Sequence, residues 1–194
     1  MLRWPQVDDL VMRAKEGSVS DSQLRDVAAI LSAGLGGEED TYGLLYVLGR
    51  SMALRYEPLV SRFLDYREDP FVAALALEIL CSFWDKTEKY STEVVRFLRG
   101  VDCDEFREVR QIAITVAGNY LRDRFDPVLL KEILLLAAPG NPESIERRVA
   151  VESVAVALGE PLGEAINADK GDMSWDDWAA TIVARGQDRL ISET

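Results

Sequence analysis

Residues 104–121, DEFREVRQIAITVAGNYL, decide how the rest of the chain is read. Val109, Ile112, Ala113, Val116, Ala117 and Tyr120 recur at three- and four-residue intervals, the spacing that gathers side chains on one face of an α-helix. Gln111, Thr115 and Asn119 fall off that face, where a buried helix would show its polar side. Nothing in the stretch looks equipped for a reaction.

The same register, written as positions 0, +3, +4, +7 and +8, recurs along the chain. It fits Leu44, Val47, Leu48, Ser51 and Met52, then Val72, Leu75, Ala76, Ile79 and Leu80, then Val109, Ile112, Ala113, Val116 and Ala117, then Ala150, Ser153, Val154, Ala157 and Leu158. A shorter amphipathic segment precedes each later member: PLVSRFLD (58–65), STEVVRFL (91–98) and PVLLKEILLLA (127–137). The connections REDP (67–70), DCDEF (102–106) and PGNPES (139–144) place turn and capping residues just before the second helix of each pair. A helix pair cannot bury its apolar faces alone, so repetition at roughly 30–45 residues implies stacked pairs.

Two further helices come first. Pro5 suits a first turn and Val7, Leu10, Val11 and Ala14 form a stripe that stops at Gly17. Ser20 and Gln23 read as a capping box for a helix through Leu24, Val27, Ala28 and Leu31, closed by Gly34 and the pair Gly36 and Gly37. The chain ends with PLGEAI (161–166), the polar loop NADKGD (167–172) and a helix from Trp175 to Arg185 capped by Ser174 and Asp177. Trp175, Trp178, Ala179, Ile182 and Val183 lie on one face of it, as packing of a terminal unit requires. The expected organisation is a single domain over 1–194, with N-terminal capping helices in 1–39, a repeat core in 40–160 and a C-terminal capping helix in 161–194.

The pattern DEFREVRQIAITVAG (104–118) resembles the second helix of a HEAT or HEAT-like repeat, with Asp104, Val109, Arg110, Ala113, Ala117 and Gly118 in the family's roles. DPFVAALA (69–76) and RRVAVESVAVALG (147–159) follow the form less closely. Ala73 and Val151 stand where the arginine after the valine would fall, which leaves the family's Asp–Arg ladder incomplete. The resemblance covers about residues 40–160. It implies an all-α fold, a short right-handed α-solenoid of stacked antiparallel helix pairs.

Composition bounds the function. The 194 residues hold 34 acids against 22 bases, a formal charge of −12, and the excess is spread over the whole chain. Nucleic-acid binding draws on basic side chains that displace counterions, so no nucleic-acid partner is expected. Anionic membranes are disfavoured likewise, while a basic protein is attracted. The same charge also serves solubility.

The chain has no histidine. That removes Ser-His-Asp and Cys-His catalysis, histidine-ligated zinc and the commonest general base. Cys81 and Cys103 read as plain thiols, the first as a small hydrophobe in a helix. The run DKGDMSWDD, with Asp169, Asp172, Asp176 and Asp177, lacks the 1, 3, 5 oxygen spacing and closing Glu of a calcium loop. Acids such as Glu38, Glu39 and Asp40 suit helix starts. No phosphate-binding glycine motif is present. No cofactor, metal or catalytic residue is therefore expected. The first 17 residues, MLRWPQVDDLVMRAKEG, have no continuous apolar region and no run elsewhere reaches a membrane span, which leads us to expect a cytoplasmic protein.

Binding remains. Positions +2 and +6 of the repeated register would face solvent on the inner surface of a stack: Tyr46 and Arg50, Ala74 and Glu78, Gln111 and Thr115, Glu152 and Val156. Asp85 and Asn119 lie near the same stripe. The expected partner-binding residues are Tyr46, Arg50, Glu78, Asp85, Gln111, Thr115, Asn119 and Glu152. The expected function is a non-enzymatic protein-binding module. Small, acidic, histidine-free chains of this kind resemble bacterial toxin-immunity proteins, which would cover a basic toxin, for instance a nuclease. The alternatives are a HEAT-like scaffold or adaptor in a larger complex and, further off, a HEAT-like lyase or other enzyme subunit.

Overall fold

A computed structural model describes residues 4–34, 38–102, 104, 107–139, 144–160 and 174–193. Gly36, Gly37, Cys103, the loop Asn167–Asp172 with Asp169 and the segment Pro161–Ile166 lie outside the described residues, as do the side chains of Glu38 and Glu39. The described residues are helical with no strand among them, as the three- and four-residue spacing requires. The chain forms two compact units, Met1–Tyr90 and Ser91–Thr194.

The first unit opens with α1 (Trp4–Lys15), α2 (Asp21–Ala33) and α3 (Glu38–Arg50). Ser20 caps α2 with both halves of the capping box made, and Gly34 closes it in the left-handed conformation at φ 63°. Val7, Leu10 and Ala14 of α1 and Leu24, Val27, Ala28 and Leu31 of α2 are buried, and both helices pack on α3. Leu44, Leu45, Val47 and Leu48 of α3 are sealed from solvent, each such side chain contributing about 1.5–3 kcal/mol over its exposed state. The predicted stripe on α3 overran. The helix ends at Arg50, Met52 sits in a left-handed turn at φ 50° and is exposed, and Ser51 is half-buried.

After a short 3-10 turn, Leu54–Tyr56, come α4 (Glu57–Val60), a second 3-10 stretch, Ser61–Asp65, and α5 (Pro70–Glu78). Asp69 caps α5 by accepting the Phe71 N–H at 2.8 Å, with Pro70 at the first helical position. Val72 to Leu77 are all buried, so α5 has no polar side over that run. Ala74, which the sequence puts on the solvent stripe, is one of them. The helix then widens into a π-helical turn, Ile79–Phe83, where the Trp84 N–H reaches back to the Ile79 carbonyl at 2.9 Å. Cys81 is buried there, as a small hydrophobe should be.

The second unit contains α6 (Ser91–Arg99), α7 (Glu108–Asp123), α8 (Pro127–Ala137), α9 (Ile145–Ala157) and α10 (Trp175–Glu193). Helix α6 packs on α7 and α8 on α9, while α7 lies against α9 and α6 against α8. Arg110 meets Glu146 near the starts of α7 and α9, and Gly118 meets Ser153 further along, so these two helices run in the same direction. Asp126 caps α8 with two N–H contacts and Ser144 caps α9. Helix α10 is longer than its apolar pattern suggests. It continues past Arg185 to Glu193 because Gly186 fits against Val154 and Leu134, and Arg189 then donates to the carbonyls of Leu121 (3.1 Å) and Ala157 (2.5 Å). Those two carbonyls belong to the last turns of α7 and α9, where no intrahelical partner exists.

Candidate partner-binding surface

In the first unit the side chains of interest stand on α3 and at the end of α5. Tyr42, Tyr46 and Arg50 follow one another at four-residue spacing on α3 and so share a face. Tyr42 is 43% exposed, Tyr46 is half-buried and Arg50 is exposed. A glycine sets how closely α5 approaches. A Cβ on Gly49 would stand 2.4 Å from Ile79 Cγ1, just after α5, so glycine lets the two segments meet here without displacing that side chain. The Gly49 carbonyl, in the last turn of α3, accepts both the Met52 N–H and the Nε1–H of buried Trp84, each at 3.1 Å.

The π-helical turn has a direct consequence for this face. It inserts one extra residue into the helical count, so Phe83 arrives where Ser82 would stand on a regular helix. Phe83 meets the ring of Tyr46 edge-on, centroids 6.5 Å apart at 83°, and the Arg50 guanidinium lies over it at 6.0 Å. Tyr46 and Arg50 are thus joined through a residue that periodic reading assigned no role.

Glu78 is half-buried just before that turn and forms no hydrogen bond or ion pair with a described residue. Burial raises its pKa above the ordinary carboxylate value. The Tyr42 phenol is raised as well, first by burial and then by the negative potential of Glu78, with Tyr46 and Asp69 adding to it. Tyr42 therefore keeps its proton and remains a donor beside a carboxylate. Asp85 follows the turn, exposed, in a left-handed conformation at φ 50°.

In the second unit the expected residues divide differently. Gln111 is half-buried, Thr115 and Asn119 are exposed, and the Thr115 hydroxyl donates to the Gln111 carbonyl at 3.1 Å, one turn back. Glu152 on α9 is half-buried and pairs with Arg148 at 3.2 Å on the same helix. These are ordinary contacts of a polar helix face.

The charged residues with the most partners are elsewhere, at the start of α7. Asp104 is buried and its Oδ2 accepts the Arg110 N–H at 3.1 Å, capping the third position of the helix from outside. Arg107, left-handed at φ 62°, and Arg110 both pair with the buried carboxylate of Glu146, and Arg110 also donates to the Arg99 carbonyl at 2.6 Å. Close by in sequence, Arg147 lies over the Trp175 ring at 4.9 Å and reaches Asp176 at 3.5 Å. Trp175 and Trp178 are half-buried with ring centroids 6.5 Å apart. Every acid in this network faces a cation or an N–H, so it works as a clamp between helices.

No group of three or more cysteine, aspartate or glutamate side chains among the described residues could hold a metal ion. Among those residues no helix is long and apolar enough to cross a membrane. Comparison with known proteins found no family model that matches the chain, no matching curated protein and no matching solved structure.

Proposed function

We propose that the chain is a short right-handed HEAT-like α-solenoid of antiparallel helix pairs that acts as a non-enzymatic protein-binding module. More specifically, we read it as a cytoplasmic immunity protein that neutralises a cognate basic bacterial toxin by covering its active site or substrate surface. The pairing of α6 with α7 and of α8 with α9 supports the solenoid, as do α7 and α9 running in the same direction. The incomplete ladder fits as well, since Arg110 has a carboxylate to meet in Glu146 while Val151 takes no part.

The observation that carries the binding reading is the α3–α5 face, where Tyr42 and Tyr46 stand one turn apart, Tyr46 meets Phe83, and Glu78, near enough to raise the pKa of the Tyr42 phenol, is half-buried with no cation partner among the described residues, on a chain of charge −12. Aromatic side chains beside an acid suit a basic protein surface, and the net charge speeds the encounter. The test takes the basic proteins encoded beside this gene. One of them should be toxic when expressed alone, harmless when this chain is co-expressed, and bound to it in calorimetry with an affinity that falls as salt rises. Absence of protection and of binding for all of them would remove the immunity reading. Binding without toxicity would leave an adaptor.

A further inference from the structure

Five partly or fully buried glutamates have basic partners: Glu57 with Lys86 and Lys89, Glu132 with Arg99, Glu146 with Arg107 and Arg110, Glu152 with Arg148 and Glu160 with Arg185. Glu78, Glu93 and Glu108 are half-buried without one among the described residues, and of the three Glu78 is the one that stands close to the Tyr42 phenol. A charge withdrawn from water and left uncompensated is costly, and a cation brought from outside would relieve that cost. The side chains that share the face of Glu78 narrow the kind of cation, with Tyr42 close enough to Glu78 to feel its charge and Phe83 one turn beyond it. Two tyrosines one helical turn apart and Phe83 supply ring faces and edges, and Phe83 already carries one guanidinium, that of Arg50 at 6.0 Å.

We propose that Tyr42, Tyr46, Phe83 and Glu78 form an anchor for an arginine side chain presented by a basic protein partner, a proposal that rests on the protein-binding reading above. Arginine fits better than lysine for three reasons. Its planar guanidinium stacks on aromatic rings, it meets a carboxylate with two parallel hydrogen bonds, and it is more weakly hydrated than an ammonium. Glu78 accepts the fork, and the rings of Tyr42 and Tyr46 flank it. The Tyr42 hydroxyl, held protonated by its surroundings, stays available to a neighbouring carbonyl of the partner. The π-helical turn is what delivers the third ring, so the anchor depends on the irregularity in α5.

The test titrates the isotope-labelled protein with a capped tetra-arginine peptide and, separately, its tetra-lysine counterpart, following amide shifts by NMR. We expect shifts centred on Tyr42, Tyr46, Glu78 and Phe83, and tighter binding of the arginine peptide. Glu78→Gln, which keeps shape and removes charge, should weaken that peptide about tenfold, in line with a lost charge-assisted hydrogen bond. Tyr42→Leu should weaken it by a smaller factor, with unchanged circular dichroism for both variants. Shifts spread evenly over the acidic surface, equal binding of the two peptides, or full affinity in Glu78→Gln would overturn the anchor. The neighbouring-gene assay separates the two ideas. A partner neutralised as well by Glu78→Gln as by the native chain removes the anchor alone, whereas no partner at all, with the peptide still focused on Glu78, removes the immunity reading alone.

Discussion

Two helix crossings, one in each unit, are built on a glycine and yet differ in kind. At α3–α5 the hydrogen of Gly49 faces the side chain of Ile79, with Cγ1, Cδ1 and Cγ2 at 2.4, 2.7 and 3.1 Å from where a Cβ would be. At α7–α9 the hydrogen of Gly118 faces the Cβ, carbonyl oxygen and Cα of Ser153 at 2.6, 2.7 and 2.9 Å. A side chain can change rotamer, whereas a helix backbone moves only as a body. The first crossing has slack and the second has none, and the irregular turn and the unneutralised acid both sit at the one with slack.

The largest effect should come from Gly118→Ala. The methyl cannot be accommodated without displacing α9, which overrides the helix propensity that alanine gains, for a net loss of about 3 kcal/mol. A urea midpoint near that of the native chain would mean that the α7–α9 spacing is adjustable. Next comes Glu146→Ala, which strands the inward-facing Arg110 guanidinium and releases the more exposed Arg107. We expect a loss of about 2 kcal/mol, below the full cost of breaking a buried pair because one partner is solvated. Neutral behaviour in a denaturant titration would reduce this clamp to decoration.

Gly49→Ala should cost only about 1 kcal/mol, since Ile79 can swing aside. A second substitution sharpens the contrast. Ile79→Ala removes all three clashing atoms, so the pair Gly49→Ala with Ile79→Ala should lose clearly less than the sum of the single losses in a double-mutant cycle. The corresponding Ser153→Gly should barely rescue Gly118→Ala, because the carbonyl and Cα stay in place. Equal rescue at both crossings would erase the distinction.

The same difference governs what could be read in the sequence. Capping by Ser20, Asp69, Ser144 and Ser174 was legible because each cap is a local bond between a side chain and an amide two or three residues on, whereas the cap that Asp126 makes on α8 went unread. The buried stripes of α2 and α5 followed from periodicity, and most of those of α7 and α9 did, although Ile112, Tyr120 and Leu158 are only half-buried and fully buried Ile114 lay off the expected stripe. Periodicity failed where the helical count itself changes. The π-helical turn moved Phe83 onto the Tyr46 face, and the left-handed turn at Met52 cut α3 short. It also missed Ala74, because α5 is covered on every side from Val72 to Leu77, and the extension of α10, whose support comes from Arg189 reaching carbonyls 32 and 68 residues away. An exposed Tyr42 one turn before Tyr46 could have been found by extending the stripe backwards.

The smallest effect concerns pH and lies in the first unit. Glu57, at the head of α4, accepts hydrogen bonds from Lys89 at 2.6 Å and from Tyr90 at 2.9 Å, and Lys86 pairs with its other oxygen at 3.0 Å. The Lys89 bond is the chief reason its pKa falls from the ordinary 4.5 to about 2; burial works against the fall, and Lys86 and Tyr90 add to it. A carboxylate whose pKa is lower folded than unfolded gives stability that is complete above about 4.5 and is lost as pH drops towards 2. Protection from amide exchange at Val60, Phe63 and Leu64, buried just after Glu57 and measured relative to the intrinsic rate at each pH, should therefore fall as pH drops across that window in the native chain and less so in Glu57→Gln. At neutral pH the variant should already exchange faster. Identical profiles for the two would show that the segment from Lys86 to Tyr90 is held by burial of Thr87 and Tyr90 instead of by this carboxylate.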